Sequence, residues 1–194
     1  MKMPGELKRW LQILGASEHR RPLVAIDVDL TFVDTLTPYL EWFKKHTGKT
    51  VPQSVYEASY DLNPYYEQNG VDGHAFWKQS DLYDGLVPLP GAVAKLAELS
   101  EIADIVFVSK CYPEHITSKV NMLKKFCLFP YEFIATGAKW LVDYDLLIDD
   151  SWDVMSKSAP KRPRALHLLF DTIMTRKFDA EANDMVRLYS WAEI

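Results

Sequence analysis

The stretch Leu23-Val24-Ala25-Ile26-Asp27-Val28-Asp29-Leu30-Thr31 decides how the rest of the chain is read. Four apolar residues stop abruptly at two acids spaced two apart. A run this short, β-branched and bounded by polar residues suits a buried strand of a parallel sheet. Two later runs end the same way: Ile105-Val106-Phe107-Val108 stops at Ser109 and Lys110, and Leu146-Leu147-Ile148 stops at Asp149-Asp150. Phe133-Ile134-Ala135 reads as a further strand, and Leu166-His167-Leu168-Leu169-Phe170 as the last core strand. Between them lie helical spacings: Ala92, Val93, Leu96 and Leu99 on one face, then Ile116, Val120, Leu123 and Phe126 after the opening pair Pro113-Glu114. Leu7, Trp10, Leu11 and Leu14 make a leading helix that Gly15 can end. Strands alternating with helices predict an α/β fold, a Rossmann-like, doubly wound, mostly parallel sheet.

One segment breaks the alternation. Thr37-Pro38 reads as an N-cap with proline behind it, and Gly48 supplies the stop. Residues 49–87 are then rich in tyrosine, asparagine and glycine, with a short helical pattern from His74 to Gln79. The expectation is a small helical cap over 37–87, inserted after the first strand and closed by Pro88-Leu89-Pro90-Gly91. The core then comprises 20–36 and 88–194, with an N-terminal helix in 1–19.

Composition narrows the function classes. The 194 residues are 48% hydrophobic and 25% charged, an ordinary globular balance. A net charge of -5 with no long basic run argues against strong nucleic-acid binding; Lys161-Arg162-Pro163-Arg164 reads as a solvated loop. Two cysteines, Cys111 and Cys127, are too few for a disulfide framework and have no histidine spacing for zinc. The first residues are charged rather than apolar, and no apolar run approaches the roughly 20 residues needed to cross a bilayer. A soluble, cytoplasmic protein without a membrane partner is expected.

In an open parallel sheet, ligands bind outside the carboxyl ends of the strands. The polar residues named above all fall at such ends, and Lys139 lies just before the last of them. Carboxylates brought together repel and lose hydration, so they need a cation. Oxygen donors without histidine or thiolate suit Mg2+, a frequent companion of substrate phosphates. A hydroxyl and an ammonium beside it would bind phosphoryl oxygens. Two acids two residues apart allow one to attack phosphorus and the other to protonate the leaving oxygen.

The order of these motifs resembles the haloacid dehalogenase superfamily. Residues 24–31 resemble its first motif, Asp-x-Asp-x-Thr after an apolar strand. Residues 105–109 resemble the second, Lys139 falls at the third-motif lysine, and residues 146–150 resemble the paired-acid fourth motif. Within the superfamily the chain is most similar to the 5'(3')-deoxyribonucleotidase family. The likeness rests on Pro88-Leu89-Pro90-Gly91-Ala92, on residues 145–150, on Leu169-Phe170-Asp171, and on the ending from Arg187 through Trp191-Ala192-Glu193-Ile194.

The resemblance implies Asp27 as nucleophile and Asp29 as general acid and base. It implies phosphate binding by Ser109 and Lys139 and bracing by Thr31. Magnesium would be held by the Asp27 carboxylate, the Asp29 carbonyl and an acid of the fourth motif, with Asp150 favoured and Asp149 supporting. The substrate implied is a small phosphomonoester, a deoxynucleoside monophosphate first; another phosphomonoester (a sugar phosphate or a nucleic-acid 3'-phosphate), or a silent binding module, remain as alternatives. Two positions depart from the family pattern. Leu30 stands where glycine is common, and Lys110 stands where a small residue is usual and could add a phosphate contact. The aromatics Phe43, Tyr56, Tyr60, Tyr65, Tyr66, Phe76, Trp77 and Tyr83 fit either a cap core or a base-stacking surface.

Overall fold

The computed structural model describes residues 6–194. Its centre is a six-stranded sheet in the order β3-β2-β1-β4-β5-β6: β1 (Leu23–Ile26), β2 (Asp104–Ser109), β3 (Glu132–Ala135), β4 (Leu146–Asp149), β5 (Leu166–Phe170) and β6 (Val186–Leu188). Every pairing is parallel. Ile26 stands opposite Phe107 on one side and Ile148 on the other, so the ends of β1, β2 and β4 are level. The register is tied at the opposite edge, where the Leu23 amide donates to Asp145 at 2.8 Å and Arg20 pairs with the same carboxylate at 2.6 Å. That explains why Asp145 heads the fourth-motif strand.

Alternate strand residues face opposite layers. Val24, Ile26, Ile105 and Phe107 join Leu7 and Leu11 of α1 (Leu7–Glu18), Leu96 and Leu99 of α6 (Ala92–Ser100), and Leu123 of α7 (Ile116–Phe126). Ala25, Val106, Val108 and Leu147 face the other way, towards Met155 of α8 (Trp152–Ser158) and Ala180 and Met185. A third cluster gathers Tyr39 and Phe43 of α2 (Leu36–Thr47), Leu62, Tyr66 of α4 (Asn63–Gln68), and Phe76 of α5 (His74–Trp77), with Val55 and Tyr56 of α3 (Gln53–Ala58) against it. These short helices own an aromatic core distinct from the sheet's.

Several local expectations change. The leading helix does not end at Gly15; it runs to Glu18, where His19 takes a left-handed conformation. Gly15 instead permits a close approach, since a Cβ there would stand 3.2 Å from both the Arg20 carbonyl and the Pro22 ring. Residues 1–5 of the expected N-terminal helix lie outside the described residues. Thr37 is not the cap of α2. Asp34 accepts from the Leu36 and Thr37 amides at 2.9 and 3.1 Å and from the Thr37 hydroxyl at 2.6 Å. Gly48 does end that helix, at a φ of 71°. The segment after it holds α3 and α4 besides α5, pieces of six residues that are too short for a periodic pattern.

On α7 the buried side chains are Ser118, Lys119, Met122 and Leu123, whereas Ile116, Val120 and Phe126 are half-buried. The helix is thus rotated from the face its apolar residues suggest. Finally, β5 is not the last strand. β6 adds to it, and its Arg187 reaches Asp171 at 3.0 Å. Among the described residues, no helix is long and apolar enough to cross a membrane.

Candidate active site

β1 ends by handing its backbone to β4, the Asp27 amide donating to the Ile148 carbonyl at 2.9 Å. The chain then folds tightly on itself: Phe32 and Val33 amides both donate to Val28, and Leu30 donates to Val33 at 2.8 Å. This compact loop needs a left-handed residue, and Leu30 occupies that place at a φ of 60°. A branched L-residue there costs roughly 1–2 kcal/mol of backbone strain. Glycine's frequency at this position in the resembled superfamily has that physical reason. Trp191, 1% exposed, holds the loop from outside by donating its indole N–H to the Thr31 carbonyl at 2.8 Å.

Asp27 and Asp29 leave the strand on the same side, while Val28 between them is fully buried. Asp27 is 5% exposed and lies 2.6 Å from Lys139, whose ammonium also meets Asp149 at 2.7 Å. Asp149 spends its other oxygen on the Ser151 amide at 2.8 Å. Asp150 is different. One oxygen has only long contacts, Thr31 Oγ1 at 3.5 Å and the Tyr60 hydroxyl at 3.4 Å, and its buried Oδ2 has no partner. Oxygens of Asp27, Asp149 and Asp150 lie within 4.8 Å of one another.

Asp27 and Asp149 thus share one ammonium, and Asp150 beside them has none. Burial pushes Asp27 up to about 7, helped by Asp149 and Asp29 and opposed by Lys139. Burial likewise holds Asp150 well above the carboxylate range, with Asp27 and Asp149 adding to it. Lys139 loses hydration, yet the two acids outweigh that loss and raise it. The cluster is short of positive charge, and the orphaned Asp150 oxygen is where a divalent cation fits best.

Asp29 lives in the opposite surroundings. Burial alone would raise it, but Lys119, Tyr83 and Ser109 together hold it below its usual range. Lys119 lies 2.7 Å from Asp29 Oδ2 and donates to Ser109 Oγ, also at 2.7 Å; Ser109 donates to the same Oδ2 at 3.1 Å. The Tyr83 hydroxyl donates to Asp29 Oδ1 at 2.6 Å. Two acids two residues apart thus sit in opposite electrostatic surroundings, Asp27 held up by burial and Asp29 held down by its donors.

The structure gathers Asp27, Asp29, Thr31, Ser109, Lys139, Asp149 and Asp150 at one sheet edge. Lys110 is not among them. Its side chain is exposed and runs past Gly137, and only its carbonyl meets the site, accepting from Lys119 at 3.3 Å. The cation beside Ser109 is Lys119, on the first turns of α7. An apolar-periodicity reading overlooks it because a lysine counts as surface. The available signal was Ser118-Lys119 leading Met122-Leu123 at four-residue spacing.

The cap meets this edge through Tyr60, at Asp150, and through His115, which accepts from the Tyr112 amide at 3.1 Å and donates to the Trp77 carbonyl at 2.6 Å. Of the other histidines, His74 meets Tyr112 at 3.0 Å and His167 is buried in the sheet. Of the cap aromatics, Phe43, Tyr66 and Phe76 are core; Tyr56, Tyr65 and Trp77 pack against it. A groove of about 980 Å³ lies at the other edge of the sheet, around Arg164, Ala165 and Val186. The clustered acids Asp27, Asp149 and Asp150 lie instead at the carboxyl ends of the strands, where open parallel sheets bind their ligands.

The fold is that of the haloacid dehalogenase superfamily. A haloacid dehalogenase-like hydrolase from Streptococcus pneumoniae is similar with a TM-score of 0.59 at 13% identity, over 89% of this chain and 96% of the other. A hydrolase of the same kind from Bacillus subtilis, solved bound to magnesium, gives 0.61 at 12% identity, over 90% and 96%. The chain belongs to the family described as 5' nucleotidase, deoxy (pyrimidine), cytosolic type C, whose model matches residues 21–194. The human mitochondrial 5'(3')-deoxyribonucleotidase is 26% identical over 206 aligned residues, covering 93% of this chain and 83% of that protein. The protein is accordingly a phosphoric monoester hydrolase of the nucleotidase kind.

Proposed function

We propose that the protein hydrolyses deoxynucleoside monophosphates in two steps through an aspartyl-phosphate on Asp27, with Mg2+ as cofactor. The observation that carries this reading is the contrast between Asp27, placed among Asp149, Asp150 and Lys139, and Asp29, two residues on and bound to Ser109 and Lys119. Asp27 attacks phosphorus, and the bond to the leaving oxygen breaks with its electron pair going to that oxygen. Asp29 supplies the proton, then takes one from the water that frees phosphate and restores Asp27. Ser109, Lys119 and Lys139 bind the phosphoryl oxygens and stay ordered because each is buried. Thr31 braces the loop beside Asp150, while Lys110 is exposed beside Gly137.

Mg2+ would be held by Asp27 and Asp150 and by the Asp29 carbonyl, with Asp149 fixing Lys139 behind them. When bound it neutralises the crowded acids and the phosphoryl charge. The unpartnered Asp150 oxygen supports that assignment. The unpaired thiols Cys111 and Cys127 fit a reducing compartment such as the cytoplasm. The cap, residues 37–87, selects the nucleoside.

The test is phosphate release from 5'- and 3'-deoxynucleotides, ribonucleotides and sugar phosphates, with Mg2+, with Ca2+ or with excess chelator. Release from deoxynucleotides that needs Mg2+ and vanishes in Asp27→Asn is expected; Ca2+, larger and less demanding of octahedral geometry, supports it poorly. Release from sugar phosphates alone refutes the nucleotide reading. Full activity in chelator refutes the metal.

A further inference from the structure

Tyr83 is fully buried, on the stretch where the chain leaves the cap for the core. Its surroundings bind it on three sides. Its amide donates to Ser118 Oγ at 2.9 Å, and Ser118 in turn donates to Asp84 at 2.7 Å. Its ring lies 4.7 Å from the Lys119 ammonium. Its hydroxyl donates to Asp29 Oδ1 at 2.6 Å, a short bond of the kind a carboxylate acceptor gives. The other Asp29 oxygen, Oδ2, carries Ser109 and Lys119.

Those two groups are the phosphoryl-binding pair in the reading above, on which this inference rests. When a phosphoryl group takes them, Oδ2 is released towards the scissile bond, while Oδ1 stays on the tyrosine. We infer that Tyr83 is a positioning residue for the general acid: its hydroxyl pins Asp29 by Oδ1 and so aims Oδ2 at the leaving oxygen. In the step it serves, Asp29 takes up a proton on Oδ2 once the phosphoryl group has drawn Ser109 and Lys119 away from it; Asp27 then forms its bond to phosphorus, the ester P–O bond breaks, and that proton passes to the departing oxygen. Tyr83 keeps its own proton throughout. A phenylalanine would fill the same space and solvate Lys119 with the same ring, but would leave the carboxyl free to rotate.

Protonation matters in proportion to how poor the leaving group is. An alkoxide such as a nucleoside oxygen needs the proton, whereas 4-nitrophenolate departs without it. The test compares kcat/KM, which reports the first phosphoryl transfer, for a deoxynucleoside monophosphate and for 4-nitrophenyl phosphate in wild type and Tyr83→Phe. The expected result is a loss of about 10–100-fold on the nucleotide and less than about threefold on the aryl ester. In an Asp29→Asn background the same substitution leaves the ratio of the two substrates unchanged.

An equal loss on both substrates, or none on the nucleotide, overturns the inference, as does a further change of ratio without Asp29. A wild-type protein that releases phosphate from neither substrate refutes the proposed function instead, so the two failures are distinct. Thermal unfolding of Tyr83→Phe near the wild-type midpoint shows that the fold is kept.

Discussion

Lys119 carries a charge with no exposed surface, so removing it has two separable consequences. Asp29 loses its counter-ion, and the proposed phosphoryl-binding pair loses its cation. Lys119→Met should lower kcat/KM by about 10²–10³-fold, the usual effect of deleting one preorganised donor. It should also cost on the order of 3–5 kcal/mol of stability, because a buried charge is left unpaired. Lys110→Met, at an exposed position, should change either quantity little, which steady-state kinetics and urea unfolding of the two proteins would check.

The difference between these lysines also shows what a sequence conveys. Successive residues leaving a strand point to opposite sides. With Ser109 turned inward, its neighbour Lys110 turns out, and the cation has to come from another element. Asp27 and Asp29 were legible for the same reason, since a spacing of two keeps both on one side.

Leu30 raises a second question at this scale. Its left-handed backbone is strained, yet its side chain packs against the cap cluster. Leu30→Gly relieves the first and forfeits the second, so the two should cancel to within about 1 kcal/mol. Leu30→Val gains nothing and adds a β-branched clash, and should be less stable than Leu30→Gly by about 1–2 kcal/mol. Chemical denaturation of both variants distinguishes strain from packing.

Among the elements, the active loop depends on a segment far along the chain. Trp191 lies in a single helical turn at the C-terminal end, and its indole holds the Thr31 carbonyl while its ring meets Phe170. Trp191→Phe keeps most of the apolar burial but orphans that carbonyl, at about 1–3 kcal/mol. The prediction is a lower unfolding midpoint together with reduced kcat, because the loop carrying Asp27 and Asp29 loosens. Unchanged kcat would mean that the loop holds itself.

The strands that end in the acids and the serine share one trait: an apolar run of three or four residues with a sharp polar end. β6 has three residues, one of them Arg187, and forms because β5 offers a free edge and Asp171 receives the arginine. No local pattern announces such a strand. The helices α3 and α4 were equally silent, being held by the aromatic core of the cap rather than by propensity.

For the molecule as a whole, the sheet's interior sets a pH limit. His167, on β5 and 2% exposed, is held down to about 4 by burial. The folded state keeps the ring neutral where the unfolded chain, near 6.5, takes up a proton. Stability is therefore complete above the unfolded value, is lost as pH falls from about 6.5 towards 4, and loses no more from this group below that. The loss should reach on the order of 2–3 kcal/mol. In His167→Gln the difference in unfolding free energy between pH 7 and pH 4.5 should shrink by much of that amount; an identical pH dependence would mean that the buried ring is not its source.

The whole also explains why the chemistry lies where it does. The strand order reverses at β1, with β2 and β3 to one side and β4 to β6 to the other. Asp27 ends β1, and Asp149 with Asp150 ends its neighbour β4. The central claim is that Asp27 becomes covalently phosphorylated. The direct test is to quench the protein with borohydride during turnover of a deoxynucleotide, then digest it and map the modified peptide. Homoserine is expected at residue 27, only with substrate and Mg2+, and none in Asp27→Asn. Active protein that yields reduction at another acid, or at none, would contradict it.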